Sequence, residues 1–176
     1  MISKKKIEKF EKFINFKFKN KQNLINALTH PSYIKEKKTK SKSFETHFER
    51  LEFLGDRVLG LCISSLIYSK FNNSNEGDLT KKLSYLVKKD FLYKIALEIE
   101  IDKILKYSYK KTNTRMNTSI LSDAVESLIG SIFVDSDYVS SFKFIKKFWG
   151  PYLDSEESNI QDPKTNLQEI SQQRFK

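Results

Sequence analysis

The sequence predicts an all-α fold, on three observations. Glycine (5) and proline (3) are scarce for 176 residues, which disfavours a turn-rich sheet protein. Apolar residues recur at helical spacing in segment after segment, with no clear run of strand-like alternation between them. With 39% hydrophobic residues, 14 Phe and 8 Tyr, the chain can bury a real core of ordinary single-domain size.

Taken in order, Ile7, Phe10, Phe13 and Ile14 mark an amphipathic helix in the lysine-rich N-terminus. "KQNLINALTH" predicts a short second helix, capped by Asn20 and followed by Pro31. "KEKKTKSKS" (35–43) is strongly basic and low in apolar residues, as a mobile loop is. A long helix follows from Phe48 to Ile67 and ends near the polar turn "NNSNEGD". Leu79, Leu83, Leu86 and Val87 mark another, and Phe91, Leu92, Ile95 and Leu97 carry the helical pattern to about Glu100. "KYSYKKTNTRMNT" reads as a polar connection to a second strongly apolar helix, Ser119 to Asp135. "DYVSSFKFIKKFW" is a last amphipathic helix, expected to stop at Gly150 and Pro151. "GPYLDSEESNIQDP" then shifts to small, acidic and polar residues, as linkers do, before a further helix begins.

A formal net charge of +10 points to a polyanionic partner, nucleic acid or an anionic membrane surface. Lysine bias in the coding sequence accounts for the scarcity of arginine but less well for the surplus over acids. The lone cysteine, Cys62, excludes an intramolecular disulfide and a cysteine-cluster zinc site. The start "MISKKKIEKF" has no apolar signal region, and the longest apolar stretch, "VLGLCISSLI", is too short for a bilayer. A cytoplasmic protein with no membrane partner is the expectation.

The long helix holds an anomaly. Glu49, Glu52 and Asp56 fall within an arc of about 60° on one face, and that face continues into Gly60, Ile63 and Ile67. The helix from Ser119 repeats the device with Asp123 and Glu126, beside the small residues Ser127 and Gly130, which would let another helix approach closely. A solvated face with ion pairs explains one such face. Two, each in an otherwise apolar helix, suit carboxylates converging on a divalent cation. Oxygen donors without His or Cys favour Mg²⁺, or Mn²⁺ in its place. Arg50 and Arg57 point about 80–100° away from the acids on a helical wheel. His30 and His47 read as structural rather than ligating. A basic surface with a carboxylate-held metal suggests phosphodiester hydrolysis.

The motifs are recognisable together. "ERLEFLGDRVLG" (49–60) closely resembles the signature helix of the ribonuclease III family. "THPSY" (29–33), "EGDLT" (76–80) and "SILSDAVESLIGSIFVD" (119–135) match its other motifs in the family's order. The tail "DPKTNLQEISQQ" resembles the linker end and first helix of the double-stranded-RNA-binding domain of the bacterial enzymes, whose strands and basic second helix the sequence lacks. The resemblance implies a catalytic domain over 1–150, a linker over 151–162 and the opening of that binding domain over 163–176.

Carried over by motif, the resemblance makes Glu52, Asp56, Asp123 and Glu126 metal ligands, with Asp56 and Glu126 catalytically essential. Glu49 and Glu76 would lie near the scissile strand, and Phe53 would insert into the partner of a homodimer. Thr165 and Gln168 match positions that contact RNA in its minor groove. The implied fold is the family's all-helical endonuclease domain. The implied activity is Mg²⁺-dependent cleavage of double-stranded RNA, as in the processing of ribosomal and other RNA precursors. It leaves 5′-phosphate and 3′-hydroxyl ends with short 3′ overhangs. The competing reading is a non-catalytic double-stranded-RNA-binding or dimerisation module.

Overall fold

The computed structural model describes residues 2–36, 42–108 and 114–153. Among them are eight α-helices: α1 (Lys4–Ile14), α2 (Lys21–Ala27), α3 (Pro31–Glu36), α4 (Lys42–Lys70), α5 (Glu76–Val87), α6 (Lys89–Glu98), α7 (Thr114–Asp135) and α8 (Tyr138–Leu153). A 3₁₀ turn, Ile101–Lys103, follows α6. The described residues hold no strand; a single bridge pairs Thr29 with Lys106. The all-α expectation holds.

α7 sits at the centre. Ile120, Leu121, Ala124, Val125, Leu128, Ile129 and Ile132 are buried, and so are Ser122, Ser127, Gly130 and Ser131 between them, so the helix is enclosed on nearly every side. α4 packs along it, burying Val58, Leu59, Cys62, Ile63, Leu66 and Ile67. Burial pushes the Cys62 thiol up to about 11, so it remains a protonated core residue. α8 closes the core with Phe144, Ile145, Phe148 and Trp149, whose indole N–H donates to the Leu86 carbonyl at 3.0 Å.

Local chemistry fixes the ends. Asn20 caps α2 by accepting from Gln22 N at 2.9 Å, as expected. Asn75 caps α5 through Asp78 N, and Glu76 and Asp78 complement the first turn's partial positive charge. The "THPSY" segment is a clasp. Leu28 O accepts from Lys106 N, His30 N donates to Lys106 O, and Ser32 Oγ accepts from Ser108 N. His30 Nδ1 accepts from Ser32 N at 3.1 Å while its ring meets Phe48 edge-on, so this histidine is structural.

Several boundaries differ from the sequence reading. Pro31 follows the end of α2, as expected, and also opens α3, a helix the periodicity does not mark, because its fixed φ and missing N–H suit the first helical position. α3 takes in Lys35 and Glu36 and α4 begins at Lys42, while Lys37, Lys38 and Lys40 lie outside the described residues. Gly77 stands in the first turn of α5, not in a turn before it. α6 ends at Glu98, after which Glu100 adopts a left-handed conformation (φ 56°). α7 starts at Thr114, before the apolar run begins.

The largest difference is α8, which runs through Gly150 and Pro151 to Leu153. A proline in the last turn removes one hydrogen bond, and the preceding glycine has no Cβ to clash with its ring. Burial of Trp149 and Leu153, and the bond from Tyr152 Oη to Glu98 at 2.7 Å, hold that turn. Residues 154–176, with Thr165 and Gln168, lie outside the described residues.

Candidate functional site

The site is made where α4 crosses α7, and two glycines decide how closely they cross. A Cβ on Gly55 would stand 1.8 Å from the Glu126 carbonyl oxygen, and one on Gly130 would stand 2.1 Å from the Leu51 carbonyl oxygen. The two backbones are therefore in direct contact at this point. The expectation of close approach at Gly130 and Ser127 is met: Ser127 is fully buried and its Oγ donates to Phe48 O at 3.4 Å. Gly55, the other half of the contact, was not singled out by pattern. Of the three residues placed beyond the acids, Ile63 and Ile67 are buried, whereas Gly60 faces open space.

This crossing brings Glu52 of α4 together with Asp123 and Glu126 of α7. One carboxylate oxygen from each lies within 4.8 Å of the others, and all three residues are half-buried. Without a cation the arrangement is electrostatically unfavourable. Burial, reinforced by the charges of Asp56, Asp123 and Glu52, pushes Glu126 up to about 8. Burial likewise pushes Glu52 up to about 7, with Asp123, Glu49 and Asp56 adding to the rise. Hard oxygen donors held this close, under mutual repulsion, fit a divalent ion of the magnesium type.

The remaining acids take graded positions. Asp56 is not among the three that converge, yet its charge acts on both Glu52 and Glu126 from one turn along α4. Arg57, expected to point away, reaches Asp56 at 3.4 Å while lying 5.8 Å over the Phe53 ring. A long, exposed side chain can cover the angle that a helical wheel assigns to its Cβ. Glu49 is exposed at the site's rim. Glu76 opens α5, where its carboxylate accepts from Thr80 Oγ1 at 2.9 Å. It also lines a groove of about 370 Å³ between α4 and α5 with Tyr68, Leu79 and Leu83. His47 is exposed.

One member of the site carries no signal in the sequence. Lys89, the first residue of α6, places Nζ 3.4 Å from Asp123 Oδ1 and 3.0 Å from Ser119 Oγ, and its charge pulls Glu52 and Glu126 down against the repulsion. No spacing rule links a residue to others 34 positions away. Phe53 is 67% exposed on the same helix as Leu61 and Tyr68, at 57% and 74%. The three lie within about 80° of arc beside the acids, with Arg57 between Phe53 and Leu61 and over the Phe53 ring.

Residues 20–152 match the family model described as Ribonuclease-III-like. Ribonuclease 3 of Carboxydothermus hydrogenoformans is 39% identical over 175 residues, covering 97% of this chain and 73% of that protein. Ribonuclease 3 of Rickettsia rickettsii (strain Sheila Smith) is 36% identical over 167 residues, covering 94% and 72%. Among solved structures, the nuclease domain of ribonuclease III from Campylobacter jejuni superposes with a TM-score of 0.69 at 35% identity. That alignment covers 82% of this chain and 99% of the other, whose structure is described by flexibility in a region involved in dimer formation. A match over most of the chain, at this identity and with this helical arrangement, means that the chain belongs to the ribonuclease III family.

Proposed function

We propose that this ribonuclease III-family endoribonuclease hydrolyses double-stranded RNA with Mg²⁺, or Mn²⁺ in its place. Its products carry 5′-phosphate and 3′-hydroxyl ends with short 3′ overhangs. Its setting is the cytoplasm and its substrates are RNA precursors, ribosomal ones included. The observation that carries this reading is the convergence of half-buried Glu52, Asp123 and Glu126, with one carboxylate oxygen of each within 4.8 Å of the others.

These three carboxylates would hold the ion, with Asp56 supplying further negative charge and a fourth oxygen donor. When bound, a divalent ion makes water nucleophilic near neutral pH and stabilises charge on the phosphate. The chain's own contribution is preorganisation: α4 and α7 fix the oxygens through backbone contact before substrate arrives. In the hydrolysis an oxygen–phosphorus bond forms from water as the P–O3′ bond breaks. The water oxygen ends on the 5′-phosphate and a proton on the 3′-oxygen. Glu49, exposed at the rim, is available to the scissile strand, whereas Glu76, exposed beside Ser64 and Tyr68 at least three turns along α4 from Glu52, would meet RNA from that distance.

Cutting both strands requires two such sites, and the reading includes a homodimer that covers Phe53, Leu61 and Tyr68. Duplex RNA would be selected by A-form shape and 2′-hydroxyls, with Thr165 and Gln168 as minor-groove contacts of the tail. The net charge of +10 favours the encounter.

The test is cleavage of a long RNA duplex at low salt, with Mg²⁺ or EDTA, beside Glu126→Gln. Mg²⁺-dependent staggered cuts with 5′-phosphates are expected. The variant should be slower by about a thousandfold, the scale of losing one preorganised electrostatic group. Metal-independent retention of the duplex without cleavage would favour a non-catalytic binding module instead.

A further inference from the structure

We propose that Lys89 is the counter-ion of the metal-free carboxylate cluster, a positioning residue that holds Asp123 and competes with the divalent ion for it. This inference rests on the metal reading above. Lys89 is fastened to α7 at both ends. Its backbone carbonyl accepts from Ser122 Oγ at 2.8 Å, and its ammonium lies 3.0 Å from Ser119 Oγ and 3.4 Å from Asp123 Oδ1. Ser119 Oγ in turn lies 3.3 Å from Asp123 Oδ2. Both Asp123 oxygens are therefore engaged by the chain's own groups, one by Lys89 and the other by Ser119.

The geometry also lets the contact break. The Lys89 side chain is 66% exposed, while that of Asp123 is 18% exposed. The ammonium can swing into solvent while the carboxylate stays in place. Lys89 at Asp123 and Arg57 at Asp56 cannot together balance Glu52, Asp56, Asp123 and Glu126 once all four are ionised. The cluster thus remains net negative with Lys89 in place, stable enough to stay assembled and still able to attract a dication. The hydrogen bond from Ser122 to the Lys89 backbone does not depend on the side chain, so a substitution there removes the charge and leaves the helix junction.

Thermal melts of the whole chain, without RNA and at pH 8.5, test this by the Mg²⁺ concentration that gives half-maximal stabilisation. At that pH proton competition for the acids is small. Lys89→Met should lower this concentration about tenfold, because a unit charge a few ångströms from a dication no longer opposes it. Lys89→Arg should stay near the wild-type value, since it keeps the charge. In EDTA, Lys89→Met should melt below wild type. A Lys89→Met midpoint equal to or above wild type overturns the proposal. A wild-type protein that Mg²⁺ does not stabilise overturns the metal reading itself, a result distinct from an unchanged midpoint. Should Met perturb folding by far-UV circular dichroism, Lys89→Gln removes the same charge with a polar side chain.

Discussion

α7 holds acids in opposite ways at its C-terminal end and at its middle. At the C-terminal end Asp135 accepts from Lys19 N at 2.7 Å, Asn20 N at 2.9 Å and Asn23 Nδ2 at 3.0 Å. It thereby pins the link between α1 and α2 to the central helix. Buried Glu11 follows the same pattern, accepting from Phe18 N and pairing with Lys21. Near the middle of the helix, Asp123 and Glu126 meet Glu52 across the helix crossing, where carboxylates face one another and Lys89 opposes their repulsion. An acid surrounded by donors holds a fold together. Acids surrounded by acids store repulsion that a cation relieves. The same residue type on one helix thus serves structure at its end and chemistry at its middle.

The contrast breaks most severely at Gly130→Ala. The added methyl would enter the Leu51 carbonyl at 2.1 Å, backbone against backbone, so the helices must separate. A loss of about 3 kcal/mol or more is expected in urea unfolding, at or beyond the upper end for overpacked cores. Mg²⁺ stabilisation should vanish with it, since the ligands move apart.

Asp135→Ala sharpens the comparison from the other side. It orphans three donors in a part-buried position, and a loss of about 2 kcal/mol is expected in the same measurement. Mg²⁺ should still stabilise the variant, because the crossing of α4 and α7 is untouched. Loss of the metal response would show that the two places on α7 are not independent.

The smallest effect is that of pH. Glu52 and Glu126 hold their protons in the folded chain to about 7 and about 8, whereas an unfolded glutamate releases its proton near 4.5. Between those values the folded state binds more protons, so raising the pH destabilises it. In EDTA, stability should fall on the order of 1–2 kcal/mol as the pH rises from about 4.5 to about 8, with allowance for solvent screening of half-exposed groups. Saturating Mg²⁺ should flatten the profile, and Glu126→Gln should remove the larger share. Melts across the pH series check both.

Much of this was legible in one dimension. Periodicity located the long helices, because burial of one stripe leaves a 3.6-residue rhythm whatever the partner. It located their ends less well. Pro31 opens a helix and Pro151 is carried inside one, and in each case the decision lies with the neighbouring turns. The acids were legible because charges in an apolar run need a reason, and four ordered motifs supplied the family. Arg57 was misplaced because a wheel fixes a Cβ direction and not where a long side chain ends.

By itself, then, the sequence determined the helices, the acidic faces of α4 and α7 and the family to which they belong. Those are properties of spacing and residue type along single segments. Tertiary structure decided which carboxylates converge, through the contact of Gly55 with Gly130, and which cation enters among them, Lys89. It also decided that Asp135 is a clamp, not a ligand, because its donors lie more than 100 positions away. Such pairings are set by how close packed helices can come, and that distance is written in no single stretch of chain.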